Sequence, residues 1–206
     1  MNNRMKNLIV GLSGVMLGAS AYAMGPGNVE IDSIAWAGSG CPAGSVSSNV
    51  SDDNQAFTLL FDDYIAEVGP GVSRREMRKN CQINIDLAFP QGWSFTIFKV
   101  DYRGYVSLDR GITGMQKSTY YFQGSSSQAT ASTVFRGAID EDYVETDTLG
   151  VSALVWSPCG ANRSLNINSR VELNNRRNRG GSGLMTLDSV DGTFATKYHI
   201  KWRRCP

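Results

Sequence analysis

The chain has 206 residues, 20 of them Lys or Arg and 19 Asp or Glu, for a formal net charge of +1, and 41% are hydrophobic. So even a balance excludes a general nucleic-acid binder, which carries a strong basic excess, and so apolar a composition excludes a disordered chain. The 22 glycines follow no three-residue period, which excludes collagen, and the length suits one domain or two small ones.

In chain order, Arg4 and Lys6 open a basic stub. An uncharged apolar run follows and closes on Ala21-Tyr22-Ala23, the small-x-small pattern of a signal-peptidase site. Residues 1–23 therefore read as a secretory signal peptide. The apolar part is too short, and too diluted by Gly and Ser, to cross a bilayer, which needs about 20 residues. No later apolar stretch is long enough either, so no transmembrane segment is expected. The expected product is residues 24–206, secreted to the exterior or held in the periplasm of a Gram-negative cell. Removing Arg4 and Lys6 leaves 18 basic against 19 acidic residues.

Residues 24–28 form a loose arm, after which the apolar pattern is almost wholly of period two. Side chains alternate across a strand, so such a pattern marks half-buried β-strands. Short candidates cover 29–36 and 57–61. Ser73 to Glu76 has capping-box spacing and predicts one short helix over 74–80. Cys81, Ile83, Ile85, Leu87 and Phe89 then alternate with Gln82, Asn84, Asp86 and Ala88. Trp93, Phe95 and Ile97 share one parity, and the apolar set then passes to Phe98, Val100, Tyr102, Val106 and Leu108. The change of parity predicts a bulge near Ile97-Phe98. Further strands are predicted over 119–122, 130–135, 143–146 and 151–156. Leu165, Ile167, Val171 and Leu173 alternate with polar neighbours, the Arg- and Gly-rich stretch 174–183 reads as an exposed hairpin loop, and Phe194, Tyr198, Ile200 and Trp202 close the series. Turn signals lie between, including Pro90-Gln-Gly92, Asp109-Arg-Gly111 and Asp191-Gly192. Nine or ten such strands predict an all-β, jelly-roll-like antiparallel sandwich as a single domain over 24–206.

Export changes the meaning of Cys41, Cys81, Cys159 and Cys205. An even number in an oxidising compartment predicts two disulfides. Of three connectivities, Cys41–Cys81 with Cys159–Cys205 keeps each link within one half of the chain and is preferred. Without a C-x-x-C pair, and with His199 as the one histidine, the spacing does not suit zinc. Neither a metal nor another cofactor is expected.

Several segments resemble an uncharacterised family of small secreted fungal and bacterial proteins, domain of unknown function 4360. They are Gly38-Ser-Gly-Cys-Pro42, the FDDY-x-x-x-x-GPGV run from Phe61, Arg78-Lys-Asn-Cys-Gln82, the run from Tyr102 to Gly124, and VWSPCG from Val155. The resemblance spans most of residues 24–206. It implies secretion, a β-rich domain and the disulfides, and it carries over no functional residue.

Five groups of side chains are candidates for chemistry. Glu141, Glu145 and Asp147 share a strand parity with Tyr143 and could form the paired carboxylates of a hydrolase; a solvated outer face is the plainer reading, and no catalytic residue is assigned. Asp62 and Asp63 form an acidic pair after an apolar strand, but lack a calcium-loop pattern. Arg176, Arg177 and Arg179 beside Gly180-Gly181 suit a phosphate or an acidic polysaccharide. Tyr105, Tyr120 and Tyr121 could stack sugar rings, although adjacent Tyr120 and Tyr121 must face opposite sides. His199 shares the parity of Lys197 and Lys201 and should face solvent. The sequons Asn49-Val-Ser51 and Asn162-Arg-Ser164 matter in a eukaryotic source. The preferred reading is a non-catalytic extracellular binding module for a glycan or cell-surface partner. The alternatives are a secreted hydrolase using the acidic strand and a membrane-active sandwich, the latter suggested by the polar stretch 124–133.

Overall fold

The computed structural model describes residues 25–159, 162–187 and 196–206. The signal peptide expected over 1–23, the Asp191-Gly192 turn and Phe194 lie outside the described residues. Two antiparallel sheets face each other. The first has five strands: β1 (Glu30–Ala37), β5 (Arg78–Ala88), β10 (Leu165–Asn174), β7 (Thr113–Phe122) and β8 (Ala129–Arg136), in that spatial order. The second has seven. Its path runs β2 (Val46–Val50), β3 (Ala56–Phe61), β12 (Thr196–Arg204), β6 (Trp93–Leu108), β11 (Gly183–Thr186) and β4 (Ile65–Val68), while β9 (Ile139–Thr148) pairs with the far side of β6.

The period-two pattern produces this arrangement directly. On β5, Cys81, Ile83, Ile85 and Leu87 are buried; on β10, Leu165, Ile167, Val171 and Leu173 are buried. Both sets point at the second sheet, which returns Phe57, Phe95, Val100, Tyr102 and Tyr198. Aromatic rings fill the gap edge to face: Phe95 sits 5.0 Å from Phe122 and 5.5 Å from Phe89, centre to centre. A buried hydroxyl pair, Tyr102 and Tyr120 at 2.5 Å, ties β6 to β7 across the sheets. Burial pushes the Tyr102 hydroxyl up to about 12, so both phenols stay protonated and one donates to the other. Gly104 lies in the same buried row because a Cβ there would collide with the Thr186 carbonyl and with the Tyr143 hydroxyl that donates to it.

The bulge falls at the predicted place. His199 pairs with Lys99 and Ile200 with Ile97, so Phe98 is the extra residue. Val100, Tyr102, Val106 and Leu108 follow on the core side as expected, but Phe98 does not join them. Its half-buried ring packs against His199 on the outer face.

Both preferred disulfides are present. Cys41–Cys81 links the β1–β2 connection to β5, and Cys159–Cys205 ties the segment after β9 to the end of β12. The Cα atoms are 5.5 and 5.8 Å apart, inside the range a disulfide spans without moving the backbone.

Three local expectations fail, each for a physical reason. The capping-box segment makes only a turn over 74–77, with Glu76 N donating to the Ser73 carbonyl. The chain is needed in β5 from Arg78 onward, which leaves no length for a helix. Residues 151–156 are not a strand. A 3-10 turn spans Val151–Ala153, and the following backbone is satisfied at Ser157, whose amide donates to the Phe95 carbonyl and whose hydroxyl accepts from Phe95 N. The 174–183 stretch is not a hairpin: it carries the chain from β10 in one sheet to β11 in the other.

Candidate functional site

The outer face of the five-stranded sheet is built from the polar residues left over by the core pattern. Register aligns them in rows across β5, β10 and β7. Asn84, Asn166 and Tyr121 form one row; Gln82, Asn168 and Thr119 the next; Asn80, Arg170 and Lys117 the third. A concavity of about 430 Å³ lies over the second and third rows and extends to Arg78, a size suited to a small ligand. Gln82, Asn168 and Asn80 are exposed, while Thr119, Lys117 and Arg170 are half-buried. Above them Asn84 Nδ2 donates to Asn166 Oδ1 at 3.1 Å, fixing an amide pair beside Tyr121. Thr119 and Thr130 hydroxyls meet at 3.1 Å, and Arg170 pairs with Glu172 at 3.5 Å. Lys117 has no ion-pair partner among the described residues. The floor is rigid, being three paired strands anchored by the Cys81 disulfide. An amide presents both a donor and an acceptor, the complement of a vicinal diol.

The second sheet turns a different face outward. There the aromatic rings are already covered by cations: Lys201 Nζ lies 5.4 Å from the Phe98 centroid and Arg203 lies 4.2 Å from that of Trp156. At the strand end Arg204 lies 4.0 Å from Trp93. His199 is not simply solvated; its Nε2 is 2.5 Å from Asp101 Oδ2. Burial would raise the Asp101 carboxyl, yet hydrogen bonds from Thr146, His199 and Lys99 outweigh it and hold the group below the usual carboxylate range.

The acidic candidates do not lie on an outward face. Tyr143 is buried, and Glu145 and Asp147 flank it half-buried on the core side of β9, while Val144 is 63% exposed on the other. Glu141 is exposed near the start of the strand. Burial, helped by the Glu145 charge, raises the Asp147 carboxyl, and its Oδ2 is buried without a hydrogen-bond partner. Two carboxylates thus share a strand face, and neither faces the sheet-face concavity. Asp62 and Asp63 sit exposed in the β3–β4 turn. Among the described residues no group of three or more His, Cys, Asp or Glu side chains could hold a metal ion.

The tyrosines separate. Tyr120 is 2% exposed and spent on Tyr102, so it cannot meet a ligand. Tyr121 is half-buried at the end of the polar rows, and Tyr105 lies on the other sheet with its hydroxyl donating to Asp140. Arg176, Arg177 and Arg179 are exposed at one end of the sandwich. Sequence reasoning passed over Asn80, Gln82, Lys117, Thr119 and Asn168 because each alone reads as the wet side of a strand. The one available signal was compositional: β5 and β10 alternate apolar residues with amides, where solvated strands more often carry Lys, Glu or Thr.

Residues 27–205 match the family model described as Domain of unknown function (DUF4360). A protein of Arthroderma benhamiae, named as an uncharacterized secreted protein, is 48% identical over 180 residues, covering 87% of this chain and 73% of the relative. Among solved structures, that of TmCBM61 in complex with β-1,4-galactotriose aligns with 85% of this chain and 90% of its own, at 10% identity and a TM-score of 0.29. Like its fungal relative, the chain is a secreted protein.

Proposed function

We propose that this secreted chain, which belongs to the DUF4360 family, is a non-catalytic binding module that holds a glycan on the outer face of its five-stranded sheet. One observation carries the reading: the concavity over β5, β10 and β7 is lined by exposed amides and by a lysine with no ion-pair partner among the described residues. Polar groups on a fixed strand scaffold lose little entropy when they bind, which favours recognition of a flexible, hydroxyl-rich ligand. Gln82 and Asn168 lie side by side in register and can bracket one sugar, with Thr119 next to Asn168 as a third contact and the Tyr121 ring bounding the site toward the Asn84–Asn166 pair. The residues facing the concavity include no carboxylate, so nothing in it supplies the acid and base of glycoside hydrolysis.

A glycan array probed with the protein, followed by calorimetric titration of the best oligosaccharide, tests this. Asn168→Ala combined with Gln82→Ala should weaken binding at least tenfold while circular dichroism stays unchanged, and the bound oligosaccharide should be recovered intact. An array silent toward the folded, unaltered protein would overturn the reading.

A further inference from the structure

We infer that one end of the sandwich is a second, separate binding surface, on which a set of arginines grips an acidic polysaccharide through its carboxylate or sulfate groups.

Four connections meet at this end, and the meeting is built rather than accidental. Residues 69–77 join β4 to β5, 109–112 join β6 to β7, 137–138 join β8 to β9, and 175–182 join β10 to β11. The Leu173 amide donates to the Met77 carbonyl, and Gly137 N donates to the Ile112 carbonyl. Asp109 N donates to the Ser182 carbonyl while the Asp109 carboxylate accepts from Ser182 N at 2.7 Å. Asn178 Nδ2 donates to the Arg110 carbonyl at 2.9 Å. Gly111 takes φ of +86° where the turn packs against Asn178, a conformation that favours glycine. The long connection expected to be a loose hairpin is therefore pinned to its neighbour.

Three of these four connections carry arginine, and an arginine immediately precedes the remaining one. Arg74 and Arg75 come from the first, Arg110 from the second, and Arg136 closes β8 just before the third. Arg176, Arg177 and Arg179 come from the fourth. All seven are exposed, and none has an ion-pair partner among the described residues. Several cations elsewhere are occupied, Lys79 by Glu76, Lys99 by Asp101, Arg170 by Glu172, and Arg203 and Arg204 by tryptophan rings, whereas Lys117 on the sheet face is not among the described residues. Of the carboxylates nearest the loops, Glu76 is paired with Lys79, while Asp109 and Asp140 accept from the Ser182 amide and the Tyr105 hydroxyl and keep their charge, two carboxylates against seven arginines. Glu141 and Asp142 follow on the β9 edge and mark the boundary of the basic area.

The residue type narrows the partner. Guanidinium forks match the two oxygens of a carboxylate or sulfate, and these four connections contain arginine but no lysine. They also contain no Phe, Tyr or Trp, so there is no platform for stacking nucleic-acid bases. Val72 is their one exposed large apolar side chain, too little to wedge into a bilayer. What the end offers is spaced positive charge with the amides of Asn174, Asn175 and Asn178 between. That is the complement of a chain carrying both acid groups and hydroxyls.

The test uses the secreted chain against immobilised heparin and polygalacturonate, with dextran, a short DNA duplex and phosphatidylserine vesicles as the other arms. Retention on at least one acidic polysaccharide, absent on dextran and falling steeply with added salt, is expected. R176Q/R177Q/R179Q should weaken it at least tenfold. R74Q/R75Q, on a different connection, should weaken it severalfold if the surface is shared, with the thermal midpoint of each variant confirming the fold. N168A/Q82A should leave it unchanged, so failure here and failure of the sheet-face reading are separately visible. Elution at low salt, indifference to both arginine sets, or tighter binding to DNA or vesicles than to either polysaccharide overturns the inference.

Discussion

The two sheets of this sandwich present opposite solutions to the same problem, the outward half of an alternating strand. On the seven-stranded side the outward groups satisfy one another: Asp101 takes hydrogen bonds from His199 and Thr146 and pairs with Lys99, and arginine or lysine caps Phe98 and Trp156. On the five-stranded side Gln82, Asn168 and Lys117 have no such partners among the described residues, and the surface sinks into a concavity there. The difference teaches that polarity alone does not mark a site. A polar group already bonded to its neighbour has little left to offer a ligand, whereas an unengaged one on a stiff floor has both donors and acceptors in hand.

The largest expected effect comes from the disulfides, one serving each side. Each closes a loop, of separation 40 and 46 residues, worth up to about 4 kcal/mol in the chain-entropy picture. Replacing either pair by alanine should lower stability by several kcal/mol in denaturant titration. Only the Cys41–Cys81 replacement should also weaken ligand binding beyond what partial unfolding explains, because the buried Cys81 side chain fixes from the core side the strand whose outer face forms part of the concavity. Equal binding losses from both would show that the two faces are not independent.

A smaller effect separates two carboxyls on the β6–β9 pair. Asp101, on the outer face, is held low, so its contribution exists above the ordinary carboxylate range and disappears as pH falls through the depressed value. Asp147, on the core side, is held high, so its contribution exists below that range and is lost as pH rises through the raised value. D101N should therefore destabilise at pH 7 and become neutral in acid. D147N should stabilise at pH 7, with the gain shrinking in acid. Each change should be roughly 1 kcal/mol or less, since both groups are partly exposed. Thermal midpoints at pH 7 and pH 3 measure both, and the same sign for the two variants at pH 7 would contradict the opposed environments.

The smallest expected effect belongs to the capped rings. Arg203→Ala should cost about 0.5–1 kcal/mol through loss of its contact with Trp156, and should leave glycan binding unaltered. A variant that instead gains binding would show the capped face to be a masked platform.

Much of this was legible in the residues. The strand from Cys81, the bulge at Phe98 and the β10 alternation follow from local pattern, because parity decides which side chains meet the core, whereas the disulfide pairing was a preference among three connectivities that the structure decided. Strands β2, β4 and β11 were not legible: each has four or five residues, too few for a period to declare itself. The inward turn of Glu145 and Asp147 was hidden too, since the pattern shows that they share a face with Tyr143 but not which way the face points.

By itself the sequence determined the all-β class and the division of each long strand into a greasy and a wet side, both of them short-range properties. Only the tertiary structure decided which wet sides lie next to one another. Gln82 and Asn168 are far apart in the chain and adjacent in register, and the arginines of three connections and of the β8 end share one end of the sandwich. Strand order and loop placement are set by how the two sheets bury their rings together, and no local pattern encodes that sum.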